Sequence, residues 1–404
     1  MSKRTRIIAA VMATMVMTTA FIGCDKDKDG GSSKKSITVW SHLKTNEVDA
    51  VRKVAQKWGK ENNVNVKVVE DKAKPQQAIT ALQSSKGPDL IYGLAHDNLG
   101  TFVKANVLAE VPSDYALSDD AYANQMFIDA ITVGGKKYAV PLGADIVAVL
   151  YNKKNVQAPK TMEEIKASKK FAFNATDFYC TYGFLSAGTN ATNGGYVFKN
   201  NGGTLDPKDI GLNTEGAVAG FEFIQSLVKD GLFAEDINDD IAKGLFKDGK
   251  TDYYVTGAWS VDECKKAGVD LGVVPLPTLN GQVMKPFTTV QTGFVSSKSK
   301  NQDLAWDLMK YLQENTSDAL ITEGNRVPAL KSAQDSDAFK NNEFASVFLE
   351  ASNNGVPMPN IPEVQQMWDP GANNLKALLA QTQNAKETGE KLVSQIKEKI
   401  DNAK

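Results

Sequence analysis

The sequence predicts an α/β protein of two lobes, each a mostly parallel sheet flanked by helices. Three observations carry the prediction. At 404 residues the chain exceeds one simple domain and suits two sizeable cores. Apolar strands and amphipathic helical runs alternate at its start, the β-α-β-α-β order that lays strands parallel. Finally, in "GPDLIYGLAHDNLG" (87–100) a Gly-Pro-Asp turn delivers the apolar run 90–92, which ends in Gly93 and a polar cluster. The carboxyl end of such a strand is where an open α/β sheet grips ligands, so Asp97 is aimed at a crevice, with Ala95, His96 and Asn98 beside it.

The elements follow in order. "SITVW" (36–40) alternates and is β-branched, a strand. Val48, Val51, Val54, Ala55 and Trp58 fall at helical spacing over 47–62. Residues 64–69 alternate as a second strand, 76–84 are helical, 90–92 form the third strand and 101–109 an amphipathic helix. "ITVGGKKYAVPLG" reads as a hairpin about Gly134-Gly135, with Asp145 at its far end. "VAVLYNK" (147–153) is a long apolar strand, and Thr161-x-x-Glu164 is a capping box that opens a helix over 161–168. "KFAFN" is a strand and 175–182 lead into a helix. "NNGGTLDPKDIGLN" is a loop or small hairpin, 214–229 a helix, and "TDYYVTGAW" a strand ending at Gly257-Ala258-Trp259. After "LGVVPLP", "FTTVQTGFVSS" is a strand and 301–313 a helix. Residues 374–400 are helical with a break expected near Thr388-Gly389. Trp40, Trp58 and Trp306 lie on strand or helix faces and are expected in the core.

Composition excludes several functions. Hydrophobic content of 42% and charged content of 23% are ordinary for a soluble globular chain. A net charge of −2 gives no reason to expect nucleic acid as a partner. Two histidines, His42 and His96, are too few for a histidine-rich zinc site, and no metal or cofactor is expected. Asp25, Asp27 and Asp29 imitate a calcium loop, but its twelfth position is Ser36; Asp236-x-Asn238-x-Asp240 ends likewise on Lys247. The first is read as a solvated tether and the second as a loop or helix start.

The amino terminus is a targeting segment. Lys3, Arg4 and Arg6 precede an apolar run over 7–23, the pattern of a signal peptide. It stops at Gly23-Cys24, which resembles a bacterial lipobox, so Cys24 is the lipidation candidate, 1–23 the signal peptide and 24–35 a flexible tether. Acyl chains on Cys24 would hold the protein at the membrane, each buried CH₂ contributing about 0.8 kcal/mol. Cys180 and Cys264 are expected to be free, partly buried thiols.

"GPDLIYGLAHDNLG", "AVPLGADIVAVLYNKK" (139–154), "NGGYVFKNNGG" (193–203), "GVVPLPTLNGQVMKPF" (272–287) and "MPNIPEVQQMW" (358–368) occur in one order along nearly the whole chain after residue 36. This ordered set resembles the maltose/maltodextrin-binding proteins, the extracellular solute-binding subunits of ABC sugar importers. The resemblance implies a two-lobe periplasmic-binding-protein fold of type II with the ligand in the interlobe cleft. It assigns 36–143 and 293–336 to the first lobe and 148–287 and 343–404 to the second, with crossovers at 144–147, 288–292 and 337–342. It implies a monomer that captures maltose or a maltodextrin by lobe closure and delivers it to permease subunits. By its motifs Asp97, Asp145 and Asp177 would bind sugar hydroxyls, Tyr179, Trp259 and Trp368 would form the aromatic platform, and Ala95 and His96 would flank Asp97. Planar acceptors and flat rings are what the hydroxyl rim and C–H faces of a sugar require. The chain departs from the best-known members at Leu94 (or Tyr92), Asn98 and Asp369, where tryptophan, arginine and tyrosine are usual. In "WSHLKTNE" His42, Lys44 or Glu47 would replace an Asp-Lys pair. Alternatives are a receptor for another oligosaccharide such as a galacto-oligosaccharide, a glycoside hydrolase, or a surface polysaccharide-tethering protein.

Overall fold

The structure, a computed structural model, describes residues 34–84 and 86–403. The expected signal peptide 1–23, Cys24 and the expected tether up to residue 33 lie outside the described residues. Strands β1 (Ser36–Ser41), β2 (Asn65–Glu70) and β3 (Leu90–Ala95) bracket helices α1 (Thr45–Glu61) and α2 (Pro75–Gln83). The β-α-β-α-β run pairs as it predicts: β1 is parallel to both β2 and β3. Ile37 and Val39 of β1 and Val48, Val51, Ala55 and Trp58 of α1 share one core, which shows why those positions are apolar.

Helix α3 (Leu99–Lys104) is shorter than the 101–109 expected. Asn106 takes a left-handed φ of 54°, which ends helical geometry. The next residues join the sheet edge instead, Ser297 N–H donating to the Val107 carbonyl at 2.9 Å and Ala109 N–H to that of Val295 at 2.9 Å. Gly134 and Gly135 turn the short 132–137 hairpin at φ 58° and 78°, angles that glycine adopts without steric cost.

Two long strands organise the middle of the molecule. β4 (Val140–Asn152) is buried from Val140 to Leu150 and apolar over that stretch except at Asp145. A strand covered on both faces loses the alternation of a one-sided strand, so it reads as a continuous apolar run. After it come β5 (Phe171–Phe173), α4 (Phe178–Ala187), α5 (Glu215–Lys229), β6 (Tyr253–Gly257), β7 (Leu271–Val274) and β8 (Phe287–Val295). β8 pairs antiparallel with β3 on one side and with Val140–Ile146 of β4 on the other. From Val147 onward β4 pairs antiparallel with β6 and β7, and β6 runs parallel to β5. The sheet order is β2-β1-β3-β8-β4-β6-β5, parallel toward its ends and antiparallel along the two long strands.

The chain continues through α6 (Gln302–Asn315), α7 (Ser317–Gly324), α8 (Trp368–Leu379) and α9 (Ala385–Asn402). Trp58 and Trp306 are buried and Trp40 packs against a core cluster, as expected. Thr161 caps its helix by accepting from Glu164 N–H at 3.1 Å. Residues 199–206 form the small hairpin, and Asn238 caps a helix that starts at Asp239. Cys180 and Cys264 are free and fully within the core.

The break expected at Thr388-Gly389 falls instead at residues 380–384. Gln381 is left-handed there, and Asn384 and Glu387 form a reciprocal capping box that starts α9. Gly389 sits inside α9 for a different reason: a Cβ on it would stand 2.8 Å from the Leu212 carbonyl and 3.1 Å from Asn213 Cα. Alanine in a helix gains up to about 1 kcal/mol of propensity over glycine, but overpacking against fixed backbone costs about 1–3 kcal/mol. Gly389→Ala is therefore expected to lower the urea midpoint; a rise would show that the close approach of α9 to residues 212–213 is absent.

Candidate functional site

The residues that end β3 form a 3₁₀ turn, His96–Asn98, buried on every side. Asp97 Oδ1 accepts from Asn98 Nδ2 at 2.9 Å, and Gln365 Nε2 donates to the Asp97 carbonyl at 3.1 Å and to Oδ2 at 3.4 Å. Burial raises the Asp97 carboxyl to about 7, against the opposing pull of hydrogen bonds from Gln365 and Trp368. Asn98 Oδ1, buried beside it, has no partner among the described residues. His96 is differently placed from its expected role. Its Nδ1 accepts from Val290 N–H at 3.0 Å and its Nε2 donates to the Met358 carbonyl at 2.9 Å, so neither nitrogen is free for a ligand. Burial lowers its pKa to about 4, so it is a neutral brace between β3, β8 and the 356–361 segment. Ala95 pairs with Gln291 of β8, and its carbonyl accepts from Asn98 Nδ2 at 3.0 Å.

Asp145 interrupts the apolar β4 because its charge is met inside the protein. Oδ2 accepts from Arg326 Nη1 and from Gln291 Nε2, the latter at 2.9 Å. Arg326 turns its other edge to Glu47 of α1: Nη2 donates to Oε2 at 2.9 Å, and Nε donates to Oε1. Arg326 is raised still further above its ordinary range; burial opposes this and the two carboxylates outweigh burial. Two carboxylates on one guanidinium leave a buried surplus of negative charge, which Lys44 faces. Lys44 Nζ itself donates to the Trp259 carbonyl. Of the three candidates in "WSHLKTNE", His42 thus engages Asp71 at 3.1 Å, Glu47 engages Arg326, and Lys44 reaches Trp259.

The aromatic residues assemble around Phe287, the first residue of β8. Tyr179 lies with its ring centroid 6.2 Å from Phe287 and 6.1 Å from Trp259, and Trp368 stands 6.3 Å from Phe287 at 66°. The Tyr179 hydroxyl donates to the Asp145 backbone carbonyl at 3.2 Å, joining the rings to the main chain of β4. Tyr179, Trp259 and Trp368 are each half-buried. Asp177 takes a local role: it caps α4, Oδ1 accepting from Tyr179 N–H at 2.7 Å, which fixes the start of the helix that carries Tyr179. Burial raises its carboxyl above the ordinary range.

Asp97, Asp145, Tyr179, Trp259 and Trp368, drawn from five separate segments, therefore join through shared partners. Sequence reasoning missed Arg326, Gln291 and Gln365. Arg326 follows the polar run Glu323-Gly324-Asn325 and so carried no signal comparable to that of Asp145 within its apolar run. A separate cavity of about 1400 Å³ is lined by His96, Tyr182, Asn190, Lys285, Phe287 and Asn360, among others. It touches Phe287 but none of the three aspartates, Tyr179, Trp259 or Trp368.

The raised carboxyl of Asp97 sets a pH dependence. Below about pH 4 Asp97 is protonated in both folded and unfolded chains and contributes nothing. Between there and about 7 the unfolded chain releases a proton that the folded one keeps, so stability falls as pH rises. Asp97→Asn is expected to remove this loss and to be more stable than the parent at pH 8 by at least about 1 kcal/mol, with the two closer at pH 5. Urea unfolding at both pH values checks it; an Asn variant weaker at pH 8 would refute it.

Residues 53–346 match the family model described as bacterial extracellular solute-binding protein. The galactooligosaccharide-binding protein of Bacillus subtilis (strain 168) is 31% identical over 392 residues, 91% of this chain and 90% of that one. The maltodextrin-binding protein of the same strain is 31% identical over 394 residues, with the same shares covered. Among solved structures, the maltose-maltodextrin binding protein of Alicyclobacillus acidocaldarius superposes with a TM-score of 0.84 at 35% identity, over 90% of this chain and 100% of that one. With its α/β sheet matching the two-lobe solute-binding fold and its sequence matching over nine-tenths of its length, the chain belongs to the bacterial extracellular solute-binding protein family.

Proposed function

We propose that this protein is the extracytoplasmic receptor of an ABC sugar importer, which holds a maltodextrin between two closing lobes and presents it to the permease. The observation that carries this reading is the convergence of half-buried rings around Phe287, with the buried Asp97 carboxyl hydrogen-bonded to Trp368 and the Asp145 main chain to Tyr179. Stacking rings accept the C–H faces of a pyranose while carboxylates accept its hydroxyls, a combination suited to reversible binding without turnover. In this proposal 36–143 with 293–336 and 148–287 with 343–404 are the lobes, joined at 144–147, 288–292 and 337–342. The change of partner of β4 between Ile146 and Val147 supports that division. Contacts from Lys44 to Trp259 and from Gln365 to Asp97 run between the two proposed lobes, as closure requires. The proposed molecule acts as a monomer tethered through Cys24.

A galacto-oligosaccharide is the competing ligand, because the two Bacillus relatives stand at the same identity. Calorimetry against maltose, maltotriose, maltotetraose and galactotriose decides between them, with micromolar affinity, about −8 kcal/mol, expected for the glucose polymers. Trp259→Ala and Trp368→Ala are each expected to weaken that binding at least about tenfold, roughly 1.4 kcal/mol, and small-angle scattering should show the parent contracting with sugar. Unchanged affinity in both variants would remove the ligand from this cleft, and release of reducing ends from maltotriose would make the protein a hydrolase.

The anchor is tested separately. Cys24→Ser is expected to leave sugar affinity intact and to abolish fractionation with membranes. A Cys24→Ser protein that stays with membranes after an alkaline wash would overturn the lipoprotein assignment.

A further inference from the structure

We propose that Arg326 is a positioning residue for the ligand, which aligns the Asp145 carboxylate so that one of its oxygens is held ready for a sugar hydroxyl. The inference rests on the reading of Asp145 as a sugar acceptor.

Asp145 is asymmetric in its partners. Arg326 Nη1 and Gln291 Nε2 both donate to Oδ2, while Oδ1 receives no donor among the described residues. A carboxylate pinned through one oxygen presents the other in a fixed direction. The ordering of the side chain is then complete before the ligand arrives. The pin is itself held rigidly. Nε and Nη2 of Arg326 bind the two oxygens of Glu47 as a planar fork, which fixes the direction of Nη1. Glu47 is fully buried on α1, and its Oε2 also accepts from Lys44 N–H at 3.1 Å. A lysine at 326 would supply a point charge and could not hold both carboxylates in one plane.

The backbone around Arg326 is shaped for this contact. A Cβ on Gly324 would collide with the Glu47 carboxylate, and one on Gly143 would stand 2.8 Å from the Val327 carbonyl. Asn325 between Gly324 and Arg326 takes a left-handed φ of 52°. These positions let the 324–328 segment press against β4 opposite Asp145. Stability alone is a poor explanation of the cluster. Apolar side chains of similar volume often serve as well as a buried ion pair, and two carboxylates on one guanidinium leave a surplus negative charge within the protein, which Lys44 faces. The surplus makes sense where one carboxylate has a second task.

The test is a double-mutant cycle read by calorimetry with maltotriose and galactotriose, using whichever the parent binds more tightly. Arg326→Lys is expected to weaken binding about tenfold while thermal unfolding shows a folded protein. In an Asp145→Asn background the same change is expected to alter affinity less than twofold, because Arg326 acts only through that carboxylate. Should Arg326→Lys not fold, Glu47→Gln replaces it, with a threefold loss expected in the parent and none in Asp145→Asn. Parent-like affinity in Arg326→Lys, equal losses in both backgrounds, or unchanged binding by Asp145→Asn would each overturn the inference while leaving the receptor reading standing. A parent that binds neither sugar would overturn both.

Discussion

The pairing of β4 with β8 is the constraint on which the rest of the structure depends. Both strands are buried along nearly their whole length, so each must be hydrogen-bonded on both edges. β8 meets this by lying between β3 and β4, and β4 by exchanging β8 for β6 and β7 after Ile146. A strand that changes partners midway belongs to two sheet regions at once. Most polar groups admitted into this zone find partners inside the protein, the Thr288 hydroxyl of β8 being buried without one among the described residues.

That requirement explains the chemistry at the centre. Asp145 on β4 is met by Gln291 on β8 and by Arg326, and Arg326 is met by Glu47. His96 satisfies the Val290 N–H of β8 and the Met358 carbonyl with its two nitrogens, and burial keeps it neutral. Thr292 of β8 donates from its hydroxyl to the Leu94 carbonyl at 2.7 Å. The polar residues of the long strands thus tie distant segments together, and the site is assembled from groups whose first partners are already in place.

The aromatic side follows from the same strands. Phe287 opens β8 and is stacked on Tyr182 at 3.7 Å and nearly parallel, while Trp368 meets it edge-on. Tyr179, one turn before Tyr182 on α4, faces the same ring. Asp177 caps that helix, and through it the direction of Tyr179 is set by a local hydrogen bond. A flat apolar wall beside a desolvated carboxylate cluster suits an amphipathic ligand such as a sugar.

The sequence alone determined the fold class, because strand and helix periods, glycine turns and capping residues are local properties of the chain. β1 to β3, the Gly134-Gly135 turn and the Thr161 cap were legible for that reason. Strand-end position marked Asp97 and Trp259, whereas Tyr179 and Trp368 were marked by the resemblance to the maltose/maltodextrin-binding proteins. Only tertiary structure decided what lies beyond a residue's neighbours. It showed that Gly389 serves a close approach to Leu212 and ends no helix, that Asp177 is a cap, and that His96 has no nitrogen to spare. It also joined Glu47, Asp145 and Arg326, separated by up to 279 positions, into one buried network. Partnership between charges depends on where the folded strands bring them, and no periodicity along the chain encodes it.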